Sequence, residues 1–270
     1  MKVAAFVGTS LLVAGWHASV RADDMGARFD GLSFGVHAGA FSGRSDYSTA
    51  PNCPPSTDDA VFCNAAPDPS ASNGAAVAAS GSGKMSSRGP TGGAQIGYNR
   101  QAGRIVYGGE ADFAALDFNE TASANGTFPF TFLGTQYSVT NQTKVNWVST
   151  LRARVGVTAT PQVLLYATGG AAFTRIHFSS AYSDNAVGAG FPGGSGSGST
   201  DTLKAGWVIG GGAQWALDRR WSVKAEYLYA DFGPVSVSIP LTNSPSNTQT
   251  MSATSKVSLQ FMRIGLDYRF

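Results

Sequence analysis

Charge is what this sequence lacks. Only 13% of its 270 residues are Asp, Glu, Lys or Arg, about half the share of roughly 25% that an ordinary soluble domain carries, which argues against a surface solvated all round. Long apolar runs are missing too. Beyond Ala22 no stretch reaches the length of about 18 apolar residues that a membrane helix needs. With two cysteines there is no four-ligand zinc site, and with three histidines, His17, His37 and His177, there is no HExxH pattern. The basic residues form no stripe, so nucleic acid is not an expected partner. What is present is glycine, 34 residues of it, with 43% hydrophobic and 11% aromatic residues and a mean hydropathy of −0.05. That is too apolar for disorder. An uncharged chain reaches zero hydropathy when apolar and polar positions alternate, which is the composition of a membrane β-barrel.

Residues 1–22 read as a signal peptide: Lys2, an apolar stretch from Val3 to Ala14, and Val20, Arg21 and Ala22 as a small-residue cleavage site before Asp23. Taking Lys2 and Arg21 from the 19 basic residues leaves 17, equal to the 17 acidic ones, so the formal charge of +2 belongs to the leader. Residues 23–270 are expected to form one all-β domain.

Period-2 segments between turn signals number eight, at about 30–42, 91–100, 104–118, 143–158, 162–179, 201–217, 220–237 and 255–270. Short turns alternate with long polar connections, one of them containing GFPGGSGSGST, whose Gly and Ser predict a loop rather than packed structure. The pattern predicts an eight-stranded antiparallel up-and-down transmembrane barrel, with both chain ends on the side of the short turns.

Within the strands one face is apolar and the other small or charged. Trp221, Val223, Ala225, Tyr227 and Tyr229 oppose Lys224 and Glu226; Leu151, Ala153, Val155 and Val157 oppose Arg152 and Arg154; Ile105, Tyr107 and Phe113 oppose Glu110 and Asp112. A soluble barrel would put its apolar face inside, whereas a membrane barrel puts the charges in the lumen. Depth agrees. Trp215 and Trp221 flank one turn, and Trp207 and Tyr229 lie eight residues farther on, a rise of about 20 Å at ordinary strand tilt, near the apolar band of about 25 Å. Counted upward from the turns, Glu110, Asp112, Arg152, Arg154, Lys224 and Glu226 reach similar depth and predict one lumenal charged network, with His37 and Arg263 as further members. Strand five is apolar or small on both faces, and strand eight reads as changing parity near Phe261 and Met262.

At the C-terminus Met262, Ile264, Leu266, Tyr268 and Phe270 alternate with Arg263, Gly265, Asp267 and Arg269. This resembles the terminal strand of Gram-negative outer-membrane barrels, which the barrel-assembly machinery reads as its signal. TLRARVGVTATPQVLLYATGGAAF (150–173), WSVKAEYLYADFG (221–233) and FDGLSFGVHAGAF near the start resemble segments of the alphaproteobacterial small outer-membrane barrels, the OmpA-like immunogenic or porin-family proteins. The resemblance implies a cell outer membrane location with both termini periplasmic. It implies outer-membrane lipids and the assembly machinery as partners, a monomer, and a structural, antigenic role carried by surface loops in contact with host or environment. Alternatives are a small-solute channel, a haem-binding surface protein resting on His177, and a hydrolase similar to lipid A deacylases resting on His177 and Ser179 two apart on one strand face. The third group of a relay is missing beside that pair. No cofactor, metal site or catalytic residue is otherwise expected.

Cys53 and Cys63 flank PPSTDDAVF in a Pro- and Asp-rich stretch of an exported chain, so a structural disulfide is expected, worth about 2–3 kcal/mol for so short a loop. A thiol titration of the native exported protein should find no free thiol before reduction and two after it; two free thiols at the outset would exclude the bridge.

Overall fold

A computed structural model of the protein describes residues 28–52, 72–129, 135–185, 193–242 and 249–270. The leader, Cys53 and Cys63 lie outside the described residues. The chain forms β1 (Gly31–Asn52), α1 (Asn73–Ser80), β2 (Gly83–Ala102), β3 (Ile105–Thr127), β4 (Gln136–Thr160), β5 (Val163–Asp184), β6 (Ser195–Ala216), β7 (Trp221–Leu241) and β8 (Gln249–Arg269). Each strand pairs antiparallel with its sequence neighbours, and β1 closes on β8 from Ser33↔Arg269 to Asn52↔Thr250, completing the eight-stranded barrel.

The strands are longer than expected. They run 20–25 residues, whereas crossing the hydrocarbon takes about 9–11, so roughly half of each strand stands outside it. Residues 43–52, 119–127, 136–142, 180–184 and 249–254, expected in connections, are strand. So are Ser195–Thr200 of the Gly/Ser segment. The glycines there permit packing: a Cβ on Gly196 would lie 2.5 Å from the Pro240 carbonyl oxygen, and one on Gly198 2.7 Å from that of Ser238. Close approach of β7 requires their absence of a side chain.

β8 shows what the extra length is for. Odd-numbered residues face inward along its whole span, so its geometry keeps one parity. The chemistry reverses instead. From Met262 to Phe270 the apolar residues point outward and Arg263 and Asp267 inward, while from Gln249 to Phe261 the inward set is Met251, Ala253, Val257, Leu259 and Phe261 and the outward set is Ser252, Thr254, Lys256 and Gln260. Strand eight therefore changes no face; its surroundings change. β4 reverses its chemistry through a change of parity instead: at its start odd-numbered Tyr137, Val139 and Val145 face in and Ser138, Thr140, Gln142 and Lys144 face out, whereas farther on even-numbered Val148, Thr150, Arg152 and Arg154 face in. A bulge in the β4/β5 ladder between Lys144 and Ser149, and another in the β7/β8 ladder between Asp231 and Pro234, mark the boundary. Gly233, with φ +66°, supplies the left-handed residue the second one needs.

Two aromatic levels bracket the lipid-facing band. Trp221, Tyr268 and Phe270 meet edge to face in a row at the turn end, with ring centroids 5.0 and 5.2 Å apart, and the pairs Phe113 with Trp147 and Trp207 with Tyr229 lie at the boundary above, 5.8 and 5.4 Å apart. Above the boundary the barrel holds a core of Phe41, Phe118, Ile176, Phe178, Phe232 and Met251 among others. The wall is flattened there: Thr143 of β4 reaches Ser45 of β1 and Ser255 of β8 at 3.3 and 3.2 Å, contacts that cross the interior. α1 closes the mouth. Ser72 caps it by accepting from the Ala75 amide, Val77 is fully buried, and Tyr137 donates to the Ala76 carbonyl at 3.0 Å.

The two levels differ in their outer solvent, which a charge can report. Arginine in place of Val155, exposed on the lipid-facing wall, should cost about 2–4 kcal/mol in lipid-vesicle unfolding. Arginine in place of Ser197, outward on the upper wall, should change stability by no more than about 0.5 kcal/mol.

Candidate functional site

The lower lumen is filled by an ionic cluster. Lys224 and Glu226 project from β7, Glu110 and Asp112 from β3, Arg152 and Arg154 from β4, and all six are buried. β3 and β4 are in register at Glu110↔Arg152, so the closest pair is set by the ladder; closure of the ring brings β7 and β8 opposite.

Arg152 is the centre. Its Nη2 donates to Glu110 Oε1 at 2.6 Å and Asp112 Oδ2 at 2.8 Å, its Nη1 to Glu226 Oε1 at 2.9 Å, and its Nε to Thr150 Oγ1 at 2.9 Å. Lys224 Nζ donates to both oxygens of Glu110 at 2.8 and 2.7 Å. Arg263 of β8 bridges Glu226 at 2.7 Å and Asp112 at 3.1 Å. Arg154 lies 3.6 Å from Glu110, donates to Gln214 Oε1 at 2.9 Å and sits 3.9 Å over the Tyr166 ring. His37 joins through Arg263: a guanidinium can only donate, so His37 Nε2 accepts at 3.3 Å and Nδ1 donates to Gln95 Oε1 at 3.3 Å, the pattern of the neutral ring.

Four cations, Arg152, Arg154, Lys224 and Arg263, thus share the lumen with four anions, Glu110, Asp112, Glu226 and Asp267. A balanced set is what burial demands, because an unpaired charge at this depth would cost several kcal/mol. Tyr166, Gln95 and Gln214 were not singled out in the sequence, although each lies on the inward parity of its strand. Tyr166 donates to Glu226 at 3.1 Å, and Gln95 donates to Asp267 at 2.5 Å. Extending the inward parity through β2, β5 and β6 would have found them.

The cluster offers no evident reaction chemistry. Its carboxylates are held by guanidinium and ammonium donors, and among the described residues no group of three metal-ligating side chains occurs. His177 and Ser179 lie on the outer wall of β5. The ladder sets Asp201 opposite His177, with Nδ1 3.8 Å from Oδ2, so a third group does stand beside the pair. No hydrogen bond joins Ser179 to His177, and the base-to-nucleophile contact of a hydrolytic relay is missing. At the turn end Asp218 accepts from the backbone amides of Trp221 and Arg220, both at 2.7 Å, which holds its carboxyl below the usual range.

The outer membrane protein beta-barrel domain model matches residues 64–270. The chain belongs to that family. It is also 34% identical over 192 residues to the 31 kDa outer-membrane immunogenic protein of Brucella melitensis, covering 71% of this chain and 70% of that one, and equally to its Brucella suis counterpart. Among solved structures, OprG of Pseudomonas aeruginosa is 12% identical at a TM-score of 0.45, covering 89% of this chain and 98% of that one. The protease OmpT of Escherichia coli is 8% identical at 0.40, covering 90% and 97%. Superpositions this loose leave function to the residues themselves. As a member of the family this barrel is an outer-membrane protein, and its lipid-facing wall is the one bounded by the two aromatic levels.

Truncating one member of the cluster strands the rest. Arg152→Ala should lower stability in lipid-vesicle urea unfolding by about 3–5 kcal/mol, because three carboxylates lose a shared donor. A loss below 1 kcal/mol would mean that the cluster is solvated.

Proposed function

We propose that the protein is a non-conducting scaffold of the outer membrane, which contributes to envelope integrity and displays its loop-end connections at the cell surface, with the turn end and both chain ends periplasmic. The observation that carries this reading is the filled interior. The ionic cluster occupies the lower barrel, the apolar core and α1 occupy the upper one, and the two follow one another along the axis. An eight-stranded ring has room for little more than its own side chains. Connections at 53–71, 130–134, 186–192 and 243–248 all leave from the loop end, where recognition by a rigid barrel is expected to reside. The Brucella relatives are named as immunogenic outer-membrane proteins, which supports surface exposure of the same end here.

Planar-bilayer recording on the refolded protein tests the reading, with heat-modifiable gel migration as the folding control. The expected trace is silent for the parent, for Arg152→Ala and for Glu110→Ala. Steady, salt-dependent steps in the parent would replace the scaffold with a small-solute channel whose selectivity the lumenal charges set. Labelling of intact cells with an impermeant thiol reagent tests orientation separately, in a Cys53→Ser/Cys63→Ser background: Thr242→Cys should react and Ala102→Cys should not.

A further inference from the structure

A strand edge without a partner is tolerable only outside hydrocarbon, and two ladders of this barrel stop where hydrocarbon ends. β2 and β3 pair from Ala102↔Ile105 up to Gly92↔Ala115 and then part. Beyond that point β2 stays with β1 as far as Gly83, and β3 stays with β4 as far as Thr127. β6 and β7 likewise pair only as far as Trp207↔Asp231. Both partings fall at the upper aromatic level, one at Trp207 itself and the other just past Phe113. Above the membrane the ring is therefore two four-stranded sheets set face to face, one of β7, β8, β1 and β2 and one of β3, β4, β5 and β6. The contacts of Thr143 with Ser45 and Ser255 join them.

The two seams are not alike. At the β6/β7 seam the sheets touch: Gly196 and Gly198 lie against the Pro240 and Ser238 carbonyls, Lys204 Nζ donates to the Pro234 carbonyl at 2.8 Å, and the Thr242 amide donates to the Ser195 carbonyl at 2.9 Å. The amide and carbonyl of one residue point to the same edge of a strand, so Pro234 and Pro240 also strip this edge of two donors, the usual guard of an edge strand. At the β2/β3 seam the last link is Thr91 Oγ1, which donates to the Ala115 carbonyl at 2.9 Å. Beyond it, among the described residues, no ladder pair joins β3 to β2, and α1 packs between the sheets against β1, β3 and β4. The β3 segment 121–127, TASANGT, has neither proline nor charge. Its Thr121, Ser123, Asn125 and Thr127 are exposed outward, and Ala122, Ala124 and Gly126 are half-buried inward. A long, uncharged, proline-free edge is a template for another chain, bound through main-chain hydrogen bonds.

We propose that the free edge of β3 at 121–127 is a strand-addition site, which takes an extended polypeptide segment from a protein outside the membrane. The segment it fits is free of proline across the paired stretch and uncharged on the face that meets Thr121, Ser123 and Asn125. A second copy of the barrel does not fit. Two barrels in one membrane have parallel axes, so strands tilted by about 35–45° would meet crossed at about twice that angle and could not form a ladder. The site rests on the orientation given above, which puts this end at the cell surface.

Amide hydrogen exchange read by NMR tests the proposal on the refolded protein, one barrel to a lipid nanodisc. In the parent alone the amides of 121–127 should alternate, slow where they bond to β4 and fast where they face the free edge. The probe is a peptide with the sequence of residues 136–144, QYSVTNQTK, which already pairs with the other edge of β3 and sets Thr140 Oγ1 3.0 Å from Ser123 Oγ. In excess it should slow the fast set by at least about tenfold and leave Ser236 and Ser238, between the two prolines of β7, unchanged. Methylating every second amide of the peptide should abolish the effect in one phase, the one that removes its donors toward β3, and spare it in the other. Uniformly slow amides at 121–127 in the parent would overturn the proposal, because the edge would then be filled by the chain itself. A probe that slows none of them would also overturn it, as would one that acts equally in both methylated phases, which would assign binding to side chains. Exchange in a nanodisc reads the edge whichever way the barrel lies in a cell and whether or not it conducts, so its failure is distinct from failure of the labelling and bilayer experiments.

Discussion

A backbone amide in hydrocarbon has no water to bond to, so every strand of a membrane-crossing sheet needs a partner on both sides. For this chain the requirement is met by one pairing between distant segments, β1 with β8, which runs in register from Ser33↔Arg269 to Asn52↔Thr250. The other ladders join neighbours in sequence. Closure makes the wall continuous, gives the barrel an inside, and brings Arg263 of β8 within reach of Asp112 on β3, Glu226 on β7 and His37 on β1.

Once an inside exists, its filling follows from what lies outside. Where the outer face meets lipid it is apolar, and the inner face carries the charged half of the alternation; those charges must then pair with one another, as Arg152, Arg263 and Lys224 do with three carboxylates. Where the outer face meets water the alternation reverses and the inner face forms an apolar core. One barrel thus uses two cores, a polar one in the membrane and an apolar one above it. The bulges in the β4/β5 and β7/β8 ladders fall between them.

Much of this could be read along the chain. Eight alternating segments, three short turns and the charged faces of strands three, four and seven were legible because side-chain direction in a strand has period two whatever surrounds it. The aromatic pairs Trp207 with Tyr229 and Trp215 with Trp221 set depth for the same reason. The readings that went astray share one cause. Residues 119–127, 136–142 and 249–254 looked like connections, and strand eight looked as if it changed parity at Phe261, because the polar face of the upper wall was taken for loop or for lumen. A polar outer face is correct in water and wrong in lipid, and no local pattern says which solvent a residue meets.

By itself the sequence determined the strand number, the up-and-down order, the apolar wall of the membrane band and the sign of each charge that turns inward, all of which depend on neighbours in the chain. Only the tertiary structure decided where lipid gives way to water, that Gly196 and Gly198 pack against β7, that α1 covers the mouth, and which carboxylate each lumenal cation meets. Those depend on distances across a closed ring between residues up to more than 200 positions apart, such as His37 and Arg263, and period-two alternation carries no information about them.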